Sequence, residues 1–131
     1  MLKKWLAFGA VSGLLAVALG ALAAHALREK FHLEADRLAV FETGARYQMY
    51  HSLAIIAVAI FSNFSEQKKL LRISAALFAA GIILFSCSLY FLGTRSLFGM
   101  EEARWIGAVT PFGGISFMAG WGILAWAALK K

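Results

Sequence analysis

Every Lys, Arg, Asp and Glu of this 131-residue chain lies outside four stretches, residues 5–27, 47–65, 73–94 and 105–129. A helix rises about 1.5 Å per residue and needs about 20 apolar residues to cross the hydrocarbon core of a bilayer. Each stretch is close to that length or above it. The pattern predicts an all-α fold, a four-transmembrane-helix bundle forming one integral membrane domain over residues 1–131. Composition agrees, since 61% of residues are hydrophobic and 15% charged, against about 25% charged in soluble domains. What remains outside the spans leaves no room for a second folded domain, a nucleotide-binding module or a long linker.

The net charge of +6 does not point to nucleic acid, because the basic residues form short clusters at membrane edges. There they set orientation and meet anionic membrane lipids. With four spans, Lys3, Lys4, Lys68, Lys69, Arg72, Lys130 and Lys131 share one side, and Arg28, Lys30, Arg37, Arg46, Arg95 and Arg104 the other. The first group is tightly juxtamembrane and the second is interleaved with acids, so the positive-inside rule places both termini in the cytoplasm of a plasma (inner) membrane protein. Lys3, Lys4 and the run ending Ala24-His25-Ala26 imitate a secretory signal. The apolar run is longer than a signal core of about 7 to 15 residues, which reads as an uncleaved span. Trp5, Trp105, Trp121 and Trp126 read as interfacial anchors, and the single Cys87 as a small packing residue that forms no intramolecular disulfide.

Two kinds of loop follow. Asn63 to Gln67 is short and polar, with Ser65 placed to accept from a backbone N–H at the start of the third helix. Leu38, Phe41 and Ala45 recur at helical spacing, so the second helix begins well before its apolar stretch. Thr110-Pro111 reads as cap and first residue of the fourth helix, the alternative being a kinked helix from near Arg104. Small residues repeat in helices one and four, as Gly9-x-x-x-Gly13, Ala16-x-x-x-Gly20-x-x-x-Ala24 and Ser116-x-x-x-Gly120, with Gly113, Gly114 and Gly122 nearby. Such spacing serves close helix packing within the bundle or a homo-oligomeric interface.

Four segments in order, Gly20-Ala21-Leu22-Ala23-Ala24-His25-Ala26-Leu27, Phe41-Glu42-Thr43-Gly44-Ala45-Arg46-Tyr47-Gln48-Met49-Tyr50-His51, Ser86-Cys87-Ser88-Leu89-Tyr90 and Thr110-Pro111-Phe112-Gly113-Gly114 through Gly120-Trp121, resemble the domain-of-unknown-function family 423. The resemblance covers nearly the whole chain, and the Tyr-Gln-Met-Tyr-His segment is its most specific part. Ala24 and Cys87 stand where the family pattern has Gly. What the resemblance implies is a four-span bacterial inner-membrane protein with a eukaryotic relative called transmembrane protein 256. It implies no reaction.

One constellation carries chemistry. His25 at the end of helix one, Glu42, Arg46, Tyr47, Gln48, Tyr50 and His51 on helix two, Ser88 and Tyr90 on helix three and Thr110 on helix four all fall in the outer half of the predicted bundle. The inner half reads as almost wholly apolar. Glu42 and Arg46, Arg46 and Tyr50, and Tyr47 and His51 are each four apart, which places them as neighbours along helix two. Polar side chains within a span are costly unless paired or wetted. Three readings fit: helix ends tied by hydrogen bonds, a site for a small polar, anionic or lipid ligand built on Arg46 and the start of helix four, and a haem held by His25 and His51. No metal-ligand spacing, nucleophile–base pair or phosphate loop is visible, so no enzyme is expected and no cofactor beyond the haem alternative.

Overall fold

The computed structural model describes residues 2–130; Lys131, counted above in the basic end, lies outside them. All regular structure among the described residues is helical. Helix α1, Lys3–Leu22, runs directly into a π-helical turn, Ala23–Lys30. Helix α2 covers Ala35–Phe61. Helix α3, Lys68–Gly81, continues through a second π turn, Ile82–Ser86, into α4, Cys87–Thr94. Short 3₁₀ turns at Arg95–Phe98 and Ala103–Ala108 lead to α5, Thr110–Leu129.

Three helical stretches, Lys3–Lys30, Lys68–Phe98 and Ala103–Leu129, are long and apolar enough to cross a membrane. Helix α2 is equally long but carries Arg46, Gln48, His51 and Ser52 among its apolar residues and does not join that set. Its place in the molecule explains this composition. Eleven α2 residues are buried, against three in α1 and four in α5. The helix with the most polar midsection is thus the one sheathed by the others.

Close approach of the helices is built on glycines. A Cβ on Gly9 of α1 would come within 2.9 Å of the Ser52 carbonyl on α2, and one on Gly44 of α2 within 2.9 Å of the Tyr90 ring on α4. Gly93 answers from α4, facing Arg37 and Phe41 of α2. Across α3 and α5 the fit is reciprocal as well: Phe117 fills the space over Gly81, and Phe78 the space over Gly120. Position numbers rise on one helix of each pair as they fall on the other, so neighbours run antiparallel. Two apolar cores result. One centres on Ile55, Val58, Leu71, Phe78 and Phe117; the other, at the opposite end, on Ala23, Leu27, Leu38 and Phe41.

Helix ends follow the sequence with local differences. Helix α2 starts at Ala35, well ahead of its apolar run, and stops at Phe61, leaving residues 62–65 in the turn. Ser65 Oγ accepts from the Gln67 N–H at 3.1 Å, just before α3. Pro111 sits in the first turn of α5 as expected, but Thr110 is not its cap: the capping position is Val109, and the Thr110 hydroxyl bonds Ser88 instead. The stretch from Ala103 is helical too, wound as 3₁₀ and interrupted at Val109. Outside the apolar stretches, Arg37 clasps Glu101 at 2.9 and 3.0 Å and approaches Glu34 at 3.5 Å, while Arg95 lies 3.6 Å from Glu101. These contacts fasten the start of α2 to the loop before α5.

Candidate functional site

Helix α2 distributes its polar residues by angle, and the ten predicted site residues separate accordingly. Gln48, four residues after Gly44 and four before Ser52, lies on the buried face at 5% exposure. Its amide nitrogen donates to the Ser12 carbonyl of α1 at 2.9 Å, and its carbonyl accepts from the Tyr90 hydroxyl of α4 at 2.6 Å. Ser52 donates to Ser12 Oγ or to the Gln48 carbonyl, at 2.7 and 2.6 Å. One side chain therefore joins three helices. In lipid, where no water substitutes for a lost partner, each such bond holds helix to helix.

His51, one step around the helix and also 5% exposed, faces α5. Its Nδ1 lies 2.8 Å from the Tyr47 carbonyl, which only accepts, so Nδ1 carries the proton. That leaves Nε2 as the acceptor for the Trp121 indole N–H at 3.3 Å. Both ring nitrogens are engaged. The imidazole also lies flat on Phe117, ring centroids 3.4 Å apart and planes 6° from parallel. A third link joins Ser88 Oγ and Thr110 Oγ1 at 2.7 Å, between α4 and α5.

The other predicted residues are not brought into this set. Arg46 is exposed and makes no hydrogen bond or ion pair with a described residue. Glu42 pairs with Arg28 at 3.3 Å rather than with Arg46, so the acid–guanidinium ladder along α2 does not form. Tyr47 and Tyr50 are 38% and 52% exposed, although the Tyr47 ring packs against Phe85, tilted, with centroids 4.8 Å apart. His25 lies midway between buried Ala23 and Leu27 on the π turn and faces outward. It does not line the cavity beside His51.

That cavity, about 590 Å³, opens between α2, the second π turn and α5 and is lined mainly by Phe85, Phe117, Met118 and Trp121 around His51 and Tyr47. A second, about 540 Å³, separates α1 from the second π turn and α4, with Gln48 and Tyr90 among its lining residues and Cys87 exposed on its wall.

Sequence reasoning missed Ser12, Ser52, Phe117 and Trp121. Ser12 had a signal: it is the one hydroxyl in α1, set between Gly9 and Gly13. Trp121 read only as an interfacial anchor, and it also donates its indole N–H to His51. The inner half is also less apolar than expected. Ser74 Oγ donates to the Gly120 carbonyl at 2.9 Å, Ser116 Oγ to Leu77 at 2.7 Å, and the Leu2 N–H to Ser62 Oγ at 3.2 Å. Among charged groups outside the apolar stretches, the Arg37 hydrogen bond holds the Glu101 carboxyl below the usual carboxylate range, and Glu101 in turn raises Arg37.

Gln48, His51, Ser88, Tyr90 and Thr110 fall within the stretch by which the chain matches a known family. A profile described as "Protein of unknown function (DUF423)" matches residues 19–114. The chain belongs to this family. A UPF0382 membrane protein of Haemophilus influenzae is 41% identical over all of this chain and 98% of its own length. Bacillus subtilis YwdK, also a UPF0382 membrane protein, is 36% identical over 98% of each chain. The UPF0382 inner membrane protein YgdD of Escherichia coli is 37% identical over 95% of this chain and 88% of its own. No solved structure matches. With three apolar helices of spanning length, this DUF423 member is a multi-pass membrane protein, and no relative named here carries the name of an enzyme.

Proposed function

We propose that the chain is a four-span inner-membrane protein of structural or accessory role, not an enzyme, with both termini cytoplasmic. In this reading the polar set on α2 is helix glue. The observation that carries it is full internal pairing: Gln48 and His51 spend their hydrogen-bonding groups on α1, α4, α5 and their own backbone. A ligand-binding site needs free donors or acceptors, and in Gln48 and His51 each polar atom already has a protein partner.

The test is His51→Ala. Removal of the ring deletes a stack on Phe117, leaves the Trp121 N–H without its acceptor and opens a void beside it. The expected outcome is normal membrane insertion with stability lowered by about 2–4 kcal/mol, read by thermal unfolding in mild detergent. An unchanged transition would remove His51 from the structural set.

One observation favours a second reading, in which a small polar or lipid ligand enters from the side: the 590 Å³ cavity that reaches His51 and Tyr47. Native mass spectrometry of the wild type then shows a discrete adduct that His51→Ala loses while its stability holds. Gly114 and Gly122 of α5 and Gly20 of α1 face open space, and that outward surface supports association between copies, whereas Gly9, Gly113 and Gly120 are consumed inside the bundle.

A further inference from the structure

At the end of α1 opposite His25, a notch of about 470 Å³ is lined by Leu2, Lys3, Lys4, Trp5 and Arg72. Three of the five lining residues are cations, contributed by two different helices, and no acid is among them. Lys3, Lys4 and Arg72 are exposed and form no hydrogen bond, ion pair or ring contact with any described residue. Trp5 is half-buried, stacked edge-on against Phe8 at 6.0 Å, and its indole N–H has no described acceptor.

This is a concentration of positive charge and donors with no carboxylate among the lining residues. The contrast with the other end of the molecule is direct, because there Arg28, Arg37 and Arg95 each have a carboxylate within 3.6 Å. The notch also lies where two membrane-spanning stretches, Lys3–Lys30 and Lys68–Phe98, begin. That is the depth of lipid headgroups, where an indole with an apolar body and a polar edge is most at home.

We propose that this notch is a headgroup site for an anionic phospholipid. The phosphate diester sits among Lys3, Lys4 and Arg72 with the Trp5 N–H as a further donor, and the acyl chains run along the apolar surface of α1. Charge complementarity selects the ligand: a zwitterionic headgroup brings a cation of its own into the notch, and an anionic one does not. The inference is independent of the polar set on α2, since no residue is shared.

The test is native mass spectrometry of the full chain in mild detergent, titrated separately with phosphatidylglycerol, phosphatidylcholine and inorganic phosphate. Phosphatidylglycerol is expected to bind saturably, one per chain, at concentrations where phosphatidylcholine does not. Each cation near an anionic lipid strengthens binding by about fivefold. The triple variant K3Q/K4Q/R72Q is therefore expected to weaken phosphatidylglycerol binding by at least about tenfold. K68Q/K69Q removes two cations of the same end that do not line the notch, and is expected to change it by less than about twofold. An equal loss in K68Q/K69Q, or equal binding of phosphatidylcholine, would overturn the site. Inorganic phosphate saturating the notch in place of the lipid would assign it to a free anion and overturn the headgroup reading. Thermal unfolding of the triple variant, expected to match wild type, separates lost binding from lost folding.

Discussion

Gln48 and Ser86 are both buried polar residues, and they make opposite predictions. Gln48 joins Ser12 and Tyr90 across three helices, so Gln48→Leu strands the Tyr90 hydroxyl and deletes both bridges. Interhelical hydrogen bonds in membranes average about 0.6 kcal/mol and reach about 1.7. The expected loss is roughly 1–3 kcal/mol in detergent unfolding, part of it from the stranded hydroxyl. Ser86, on the second π turn, is fully buried with a hydroxyl that has no partner among the described residues. Ser86→Ala removes that group and little volume, and is expected to be neutral or to stabilise by up to about 1 kcal/mol. A Ser86→Ala variant less stable than wild type would mean that the hydroxyl has a partner worth keeping. Residue type alone did not separate these two cases. The sequence marks Gln48 and Ser86 equally as polar residues inside apolar stretches, and only the angular position of each on its helix decides which one finds a partner.

Helices were the most legible level. Charge-free runs located all four, and the spacing of Leu38, Phe41 and Ala45 showed that α2 starts early, because burial of one face imposes that spacing whatever the surroundings. The π turns were not legible, since a one-residue widening of the helix leaves no mark in hydropathy. Nor was the division of the glycines. Gly113 and Gly114 are adjacent and look alike in sequence, yet a Cβ on Gly113 would collide with the Phe85 backbone, and one on Gly114 meets nothing within 4 Å. Gly113→Ala is therefore expected to push α5 off the α3–α4 rod and cost roughly 1–3 kcal/mol. Gly122→Ala, also in open space, gains helix propensity of up to about 1 kcal/mol and is expected to be at least as stable as wild type. Detergent unfolding of the two variants side by side measures the difference. Equal effects would show that α5 does not use Gly113 as its contact face.

At the scale of the whole molecule, the end that holds Glu101 responds to pH. Glu101 has its carboxyl lowered first by the Arg37 hydrogen bond and further by the charges of Arg37, Arg95 and Arg104. A carboxyl lowered in the folded state adds stability that is complete above its ordinary titration range and is lost as pH falls through that range toward the folded value. The unfolding temperature is expected to drop on acidification below about pH 5, and Glu101→Gln to flatten that part of the profile. The pair is open to water, so the effect is modest and fades with salt. Helix α2 decides the topology. It is the least apolar of the long helices, yet it lies antiparallel between α1 and the α3–α4 rod. Its 27 residues reach about 40 Å at 1.5 Å each, longer than the roughly 30 Å hydrocarbon core. Its buried polar side chains meet helix partners and not lipid, which removes the cost that keeps such residues out of spans. Four crossings put both termini on one side, and three put them on opposite sides. A phosphatase active only in the periplasm and a fluorescent protein active only in the cytoplasm, fused in turn to each end, read this directly. Fluorescence without phosphatase activity at both ends is the expected result. Opposite signals at the two ends would mean that α2 is held inside the bundle without crossing, with Gln48 and His51 serving to seat it there.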